Sequence, residues 1–468
     1  MPNRVEKDFL GERELPESVY YGVQTLRAME NFKITGVPIS AEPCFIQAFG
    51  YVKQAAALAN RELGVLPADV ADAIVQACDR IIAGEFLDQF PTDMIQGGAG
   101  TSTNMNANEV IANLALERLG RPKGDYRRVS PHDHVNLSQS TNDAYPTAFR
   151  VALINRLGSY AQALARLRDA FRDKGAEFAQ VLKMGRTQLQ DAVPMSMGAE
   201  FHAFATSLGE ELARIEDAKG LLAEVNLGAT AIGTSLNTPE GYAGLAVRHL
   251  GRITGLELKL AADLVEATSD EGALVQLSSV LKRTAVKLSK ICNDLRLLAS
   301  GPRCGFAEIN LPQLQPGSSI MPGKVNPVIP EVVNQACFYV IGADLTITLA
   351  ASAGQLQLNV MEPVMVFALF RSIMILENAM NTLRAECVTG ITANPERTRD
   401  MVLGSLGIVT LLSPILGYQR CSEIALEGAA HAKSIHQIAV LERKLLSQAK
   451  WDELFSIENL LKPRWIPA

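Results

Sequence analysis

Between residues 146 and 393 the apolar positions recur at helical spacing through unusually long runs of helix formers, at 150–178, 195–225, 263–298, 327–353 and 363–383. Each run outlasts the ordinary helix of about 11 to 12 residues. Short breaker-rich connections separate them, around Gly185, at 226–241 and at 301–323, and strands do not alternate with the helices. The pattern predicts a mainly α chain built on an elongated bundle of long helices.

The flanks read differently. Residues 1–140 are broken by turn signals at Gly11, Gly36, Gly64 and Gly97 to Gly100, which predicts a smaller, mixed but mostly helical domain. At Asn394 the run A-N-P-E-R resets the chain into shorter helices. Three domains are therefore expected, at 1–140, 141–393 and 394–468. With 468 residues the chain exceeds the roughly 250 to 300 at which single cores split.

One stretch, 336–354, is apolar along nearly its whole length. Asp344 and its hydroxyl residues make it a poor membrane span, so a helix buried by neighbours all around is expected, with no membrane partner. The helix opening at Pro327 and running through Val332, Val333, Ala336, Cys337, Val340, Ile341 and Leu345 is too apolar for a solvent face. It is expected at the centre of an oligomer.

Charge narrows the function. The net charge is −6, from 44 basic and 50 acidic residues without a basic stripe, which argues against nucleic acid as a partner. Seven cysteines at irregular spacing, with no C-x-x-C pair, read as reduced and mostly buried thiols, Cys304 among them. The first residues carry acids and lack an apolar leader core, so a cytoplasmic protein is expected.

Four polar clusters stand out from the helices. Residues 96–108, Q-G-G-A-G-T-S-T-N-M-N-A-N, offer glycines and uncharged donors; they suit either a helix-capping loop or an anion site, and the spacing of a P-loop or dinucleotide fingerprint is absent. Residues 136–146, N-L-S-Q-S-T-N-D-A-Y-P, open a long helix, where one capping residue suffices and at least three are present. A helix N-terminus also attracts anions. Residues 184–194, M-G-R-T-Q-L-Q-D-A-V-P, connect two helical runs, and Arg186 and Asp191 could pair with each other.

The fourth cluster, residues 317–327, reads G-S-S-I-M-P-G-K-V-N-P. Two hydroxyls, a cation and a carboxamide sit among backbone-controlling Gly and Pro, as expected of a loop that binds a carboxylate. His132 and His134 form an H-x-H pair with Asp133 between them, too few ligands to predict a catalytic metal.

Residues 317–326 resemble the G-S-S-x-M-P-x-K-x-N signature of the aspartase and class II fumarase superfamily. The resemblance extends to N-E-V-I-A-N at 108–113, S-T-N-D at 140–143, G-R-T-x-L-Q-D-A at 185–192 and G-A-T-A-I-G-T at 228–234, and so spans essentially the whole chain. The spelling Q-G-G-A-G-T-S-T-N-M-N at 96–106, with Gln188 where fumarases have His, sides with the ammonia-lyase branch. That branch implies reversible elimination of ammonia from aspartate. A fumarate hydratase, a lyase for a substituted aspartate and a non-catalytic structural member are the alternatives.

The resemblance also implies roles. Ser318 would be the base that removes the Cβ proton, and Thr101, Ser140, Thr141 and Ser319 would hold the β-carboxylate as charge builds on it. Thr187, Lys324 and Asn326 would anchor the other carboxylate, with Gln188 sharing that task or touching the amine, which Asn142 would face. The loop at 316–323 would close over the substrate, a fixed turn being the alternative. A homotetramer with a 20-helix-type core and sites composed from several subunits is implied. No cofactor is required by this chemistry, while activation by a divalent cation is conceivable.

Overall fold

The computed structural model describes residues 2–461. In chain order the elements are β1 (Asn3–Asp8), β2 (Gly11–Pro16), α1 (Val23–Asn31), α2 (Pro43–Glu62), α3 (Ala68–Ile82), α4 (Thr101–Arg118), α5 (Thr141–Glu177), β3 (Leu182–Thr187), β4 (Gln190–Ser196) and α6 (Met197–Leu222). There follow β5 (Glu224–Val225), α7 (Tyr242–Thr254), β6 (Lys259–Leu260), α8 (Gly272–Leu298), β7 (Ile309–Asn310), α9 (Val328–Ser352) and α10 (Glu362–Glu386). The described residues end in β8 (Thr392–Ala393), α11 (Pro395–Gly404), α12 (Ser413–Leu416), α13 (Tyr418–His431), α14 (Gln448–Leu454) and α15 (Ile457–Leu461). The fold is mainly α, as the periodicity predicts, and the sheets among the described residues are two-stranded.

The described residues divide into two compact units. The first takes the chain up to Gln162 with Ala213–Ala285 and Phe338–Glu377. The second takes Ala163–Leu212, Val286–Cys337 and the chain from Asn378 on.

In the first unit α2 is the central packing element, lying against α3 and α7. Pro43 opens it with a preset φ, and Phe45, Phe49, Val52 and Ala56 recur on its buried face. Phe45 meets Tyr145 at a ring separation of 5.5 Å and Phe370 at 5.7 Å, and Tyr145 meets Phe149 at 5.6 Å. This aromatic core sits directly behind the first turn of α4, whose N-cap Gly100 has φ +86°. A Cβ at Gly100 would come within 2.3 Å of the Tyr145 ring, so two features demand glycine here.

In the second unit Phe171, Phe178, Phe201 and Phe204 form a cluster with ring separations of 5.1 to 6.2 Å. A second cluster joins Leu182 and Met184 of β3 to Val402, Ile424, Ile438 and Trp451. The short C-terminal helices thereby grip the base of the β3–β4 hairpin.

Two expectations change. Residues 184–194 are not an interhelical loop but most of an antiparallel hairpin, with Thr187 opposite Gln190. Gln188 and Leu189 form its turn at φ +55° and +61°, a left-handed pair that twists with the strands. Helix α9 is not covered on all sides by its own chain: Phe338 is 60% exposed, Leu345 60% and Leu349 61%. Its buried positions face only one side, where Asp344 accepts from Ser278 Oγ at 2.7 Å and Lys282 Nζ at 2.6 Å. By length and composition, Val328–Ser352 and Glu362–Gly390 are long and apolar enough to cross a membrane.

Candidate active site

The sequence-predicted residues fall into two groups, one in each unit. In the first unit the opening turns of α4 and α5 meet, because Asn104 Nδ2 donates to Thr141 Oγ1 at 3.1 Å. Thr101 starts α4, is exposed, and turns its hydroxyl onto the Gly98 carbonyl at 2.7 Å. It caps its own turn in this arrangement, with Oγ1 at the surface.

Asp143 organises the α5 N-terminus. Its Oδ1 accepts from Ser140 N at 2.9 Å, the reciprocal arm of a capping arrangement, while its Oδ2 accepts from Gly228 N at 2.9 Å and Thr230 N at 3.0 Å. One buried carboxylate thus fixes Ser140 and brings the G-A-T-A-I-G-T loop beside it. Burial pushes Asp143 up to about 6, against the pull of those three amides and Lys53. Asn142 donates from Nδ2 to Ala231 O at 2.8 Å, and its own carbonyl accepts from Asn226 at 3.1 Å.

Behind Asn104 lies Lys53, wholly buried on α2. Its ammonium donates to Asn104 Oδ1 at 2.6 Å, Asn136 Oδ1 at 3.1 Å and Gln139 Oε1 at 2.9 Å. Burial pulls this amine down to about 7, opposed by the charge of Asp143 and by Cys78. Sequence reasoning assigned no role to Lys53 or Asp143. The available signal for Lys53 was a lysine at helical spacing from Phe49 and Ala56, on an otherwise apolar face.

In the second unit Thr187 and Gln188 stand exposed at the hairpin tip. The hairpin is held from below by Glu308, which has no exposure and meets Arg186 Nη1 at 2.5 Å and Lys183 Nζ at 3.1 Å. Arg186 also lies over the Phe306 ring, 4.3 Å from its centroid. The pairing with Asp191 that the sequence left open for Arg186 does not form, and Asp191 instead accepts from Ser405 Oγ at 2.7 Å.

The loop at 317–327 is a strap closed at its base. Gly317 N donates to Lys324 O at 2.7 Å, and Asn326 Nδ2 donates to Gly317 O at 2.6 Å. A Cβ at Gly317 would meet Asn326 N at 2.7 Å and Lys324 O at 2.8 Å. Within the strap, Ser318 Oγ accepts from Met321 N at 3.0 Å and Ile320 N at 3.2 Å. Two amide dipoles therefore point at the Ser318 hydroxyl oxygen, an arrangement that favours negative charge there. Ser319 and the Lys324 side chain are exposed, and Ile320 at the crest is 84% exposed.

The H-x-H pair is committed to local contacts. His134 Nδ1 accepts from Ser130 N at 2.8 Å, Asp133 accepts from Ser130 Oγ at 3.0 Å, and His132 Nε2 lies 2.7 Å from the Gln24 amide. Among the described residues no group of three or more His, Cys, Asp or Glu side chains is arranged to hold a metal ion. All seven cysteines are free thiols, but Cys304 is exposed rather than buried. It lies in the turn between α8 and β7, where no helix face covers it.

A family model described as "Lyase" matches residues 11–342, and one described as "Fumarase C C-terminus" matches 408–462. The chain belongs to the aspartase and class II fumarase superfamily. It is 59% identical over 466 residues to the aspartate ammonia-lyase of Pseudomonas aeruginosa, covering 99% of this chain and 98% of that one. The corresponding protein of Escherichia coli K12 is 56% identical over 463 residues, with 99% and 97% covered.

Among solved structures of the superfamily, the fumarate lyase:delta crystallin of Brucella melitensis bound to cobalt superposes with a TM-score of 0.95 at 53% identity, covering 98% and 99% of the two chains. The class II fumarase of Schistosoma mansoni superposes with a TM-score of 0.92 at 34% identity, covering 99% and 100%. The helical scaffold is thus shared with superfamily members at 34 to 53% identity.

Proposed function

We propose that this chain deaminates L-aspartate reversibly to fumarate and ammonia. Its curated relatives are carbon–nitrogen lyases of that name at 55 to 59% identity over nearly the full length. Ser318 is the base. Its oxygen takes the proton from Cβ, the electron pair passes into the β-carboxylate as an aci-carboxylate, and collapse of that species breaks the C–N bond and releases ammonia. The observation that carries this assignment is the pair of amides from Ile320 and Met321 on Ser318 Oγ. They favour the deprotonated oxygen that a serine base requires.

Thr101, Ser140, Thr141 and Ser319 hold the β-carboxylate, where neutral donors fixed in advance strengthen as charge accumulates. Thr187, Lys324 and Asn326 anchor the other carboxylate, with Gln188 beside them. Asn142 faces the ammonium: its Nδ2 is engaged by Ala231, which leaves Oδ1 to accept a hydrogen bond from the ammonium. The strap closes over the substrate and excludes water.

The working form is a cytoplasmic homotetramer whose sites take residues from several subunits around a 20-helix-type core. The apolar residues that α9 leaves uncovered support that assembly. The expected domain boundaries near 141 and 394 belong to the same reading. No cofactor is required, and a divalent cation would act as an activator, a reading supported by the cobalt named with the Brucella structure.

The test is to follow fumarate absorbance after adding L-aspartate, and separately L-malate, to the purified protein. Formation from aspartate alone is expected, and loss of at least about 1,000-fold in kcat for a folded Ser318→Ala variant. Turnover of malate alone would replace this reading with a fumarate hydratase. Near-normal turnover by Ser318→Ala would remove Ser318 from its role.

A further inference from the structure

Lys53 is an odd occupant for the middle of α2. The side chain is fully buried, and its three hydrogen-bond acceptors are neutral amide oxygens rather than carboxylates. Burying an ammonium without a directly paired anion costs several kcal/mol by general experience. A neutral side chain could fill the same volume without that cost. The charge therefore calls for a use.

The amides around it show where its influence goes. An ammonium has only donors, so each neighbouring amide must present its oxygen to Lys53 and its NH2 elsewhere. Asn136 Nδ2 reaches Gln139 O at 3.1 Å, and Gln139 Nε2 reaches Val135 O at 3.0 Å. Asn104, itself buried, directs Nδ2 to Asn136 Oδ1 and to Thr141 Oγ1, both at 3.1 Å. Because Thr141 Oγ1 accepts from Asn104, its own O–H is left to donate outward.

We propose that Lys53 is a positioning residue for the site, acting through Asn104 to fix the direction of the Thr141 hydroxyl proton and to place a positive charge behind it. The chain of groups is Lys53 Nζ, Asn104 Oδ1 and Nδ2, then Thr141 Oγ1, all within the first unit. Each bond polarises the next, so the hydroxyl becomes a stronger donor to an oxygen that gains negative charge. This inference rests on the assignment of Thr141 to the substrate carboxylate. It adds a buried cation to a site otherwise lined there by neutral donors.

The experiment is a double-mutant cycle on kcat/KM for L-aspartate, using Lys53→Gln, Thr141→Val and the pair together, with folding checked by circular dichroism and size. Lys53→Gln is expected to lower kcat/KM on the order of 10- to 100-fold, the scale of a lost hydrogen bond to a charged group. In the Thr141→Val background the same change is expected to matter less than about 3-fold, since there is no hydroxyl left to orient. A purely structural lysine would give losses that multiply, and that result overturns the proposal.

Should Lys53→Gln fail to fold, Asn104→Asp takes its place in the cycle. It keeps a partner for the ammonium but offers Thr141 no donor, and a loss that persists in full without the Thr141 hydroxyl overturns the proposal equally. Wild-type kcat/KM in Thr141→Val alone would instead sink the assignment of Thr141, and the proposal with it. The two failures are thus told apart by the single variant.

Discussion

Arg186 and Asp191 stand opposite each other in the β3–β4 ladder, yet each is engaged elsewhere, Arg186 with Glu308 and Asp191 with Ser405. The register shifts between Met184 and Arg186, just where the guanidinium leaves the ladder for Glu308. The hairpin that carries Thr187 and Gln188 is therefore stiffened from outside itself. Glu308→Gln should cost about 3 kcal/mol, because Arg186 would be left facing a neutral group and Lys183 would keep only Glu200 as its carboxylate partner. Urea unfolding measures that loss, and a raised KM with a nearly unchanged kcat would show the tip to be mispositioned.

The strap predicts a different signature. Gly317→Ala pushes a methyl group into the backbone of Lys324 and Asn326, which cannot yield without opening the loop base. We expect kcat to fall on the order of 100-fold, since small displacements of a reacting group are costly. Stability should barely change, because the crest of the loop is exposed. Hydrogen exchange of the Ile320 and Met321 amides should quicken in the variant.

Gly100 and Gly120 separate strain from collision. Both have positive φ, at +86° and +67°, but a Cβ meets the Tyr145 ring at the first and nothing within 4 Å at the second. Gly120→Ala should cost about 1 kcal/mol from backbone strain alone. Gly100→Ala should cost about 2 kcal/mol more, through displacement of a packed aromatic. Denaturant midpoints of the two variants give the difference directly.

A pH dependence resides in Glu271 and Glu362. The two carboxyls are buried and act on each other electrostatically; burial drives both upward, Glu362 the further, and Arg150 opposes the shift. The folded chain thus holds protons that unfolded glutamates release above about 4.3. Stability from this pair is complete below that value and is lost as pH rises toward the folded values, from about 7 for Glu271 upward. Glu362→Gln keeps a donor in place without a titrating proton. Its unfolding free energy should exceed that of the parent at about pH 8 and converge with it near about pH 4.

Sequence pattern located the long helices well, because each keeps a helical period over many turns: the run at 327–353 is α9 at Val328–Ser352, and 363–383 is α10 at Glu362–Glu386. The hairpin was hidden because its turn takes two left-handed residues, Gln188 and Leu189, in place of the Asn-Gly or Gly pairs that mark such turns. Ser318, the proposed base, comes from a local motif, and its two amide partners are only two and three residues away. Lys53 and Glu308 were not. Their partners lie 51 and 122 residues away along the chain, so only the fold makes them neighbours.

The uncovered side of α9 has a consequence for the life of the chain before it assembles. A lone subunit displays Phe338, Tyr339, Leu345 and Leu349 together, and so carries a visible mark of being unpartnered. Assembly into the proposed tetramer would erase that mark in the same step that completes the sites. Quality control and activation would then respond to one variable, the concentration of the chain itself.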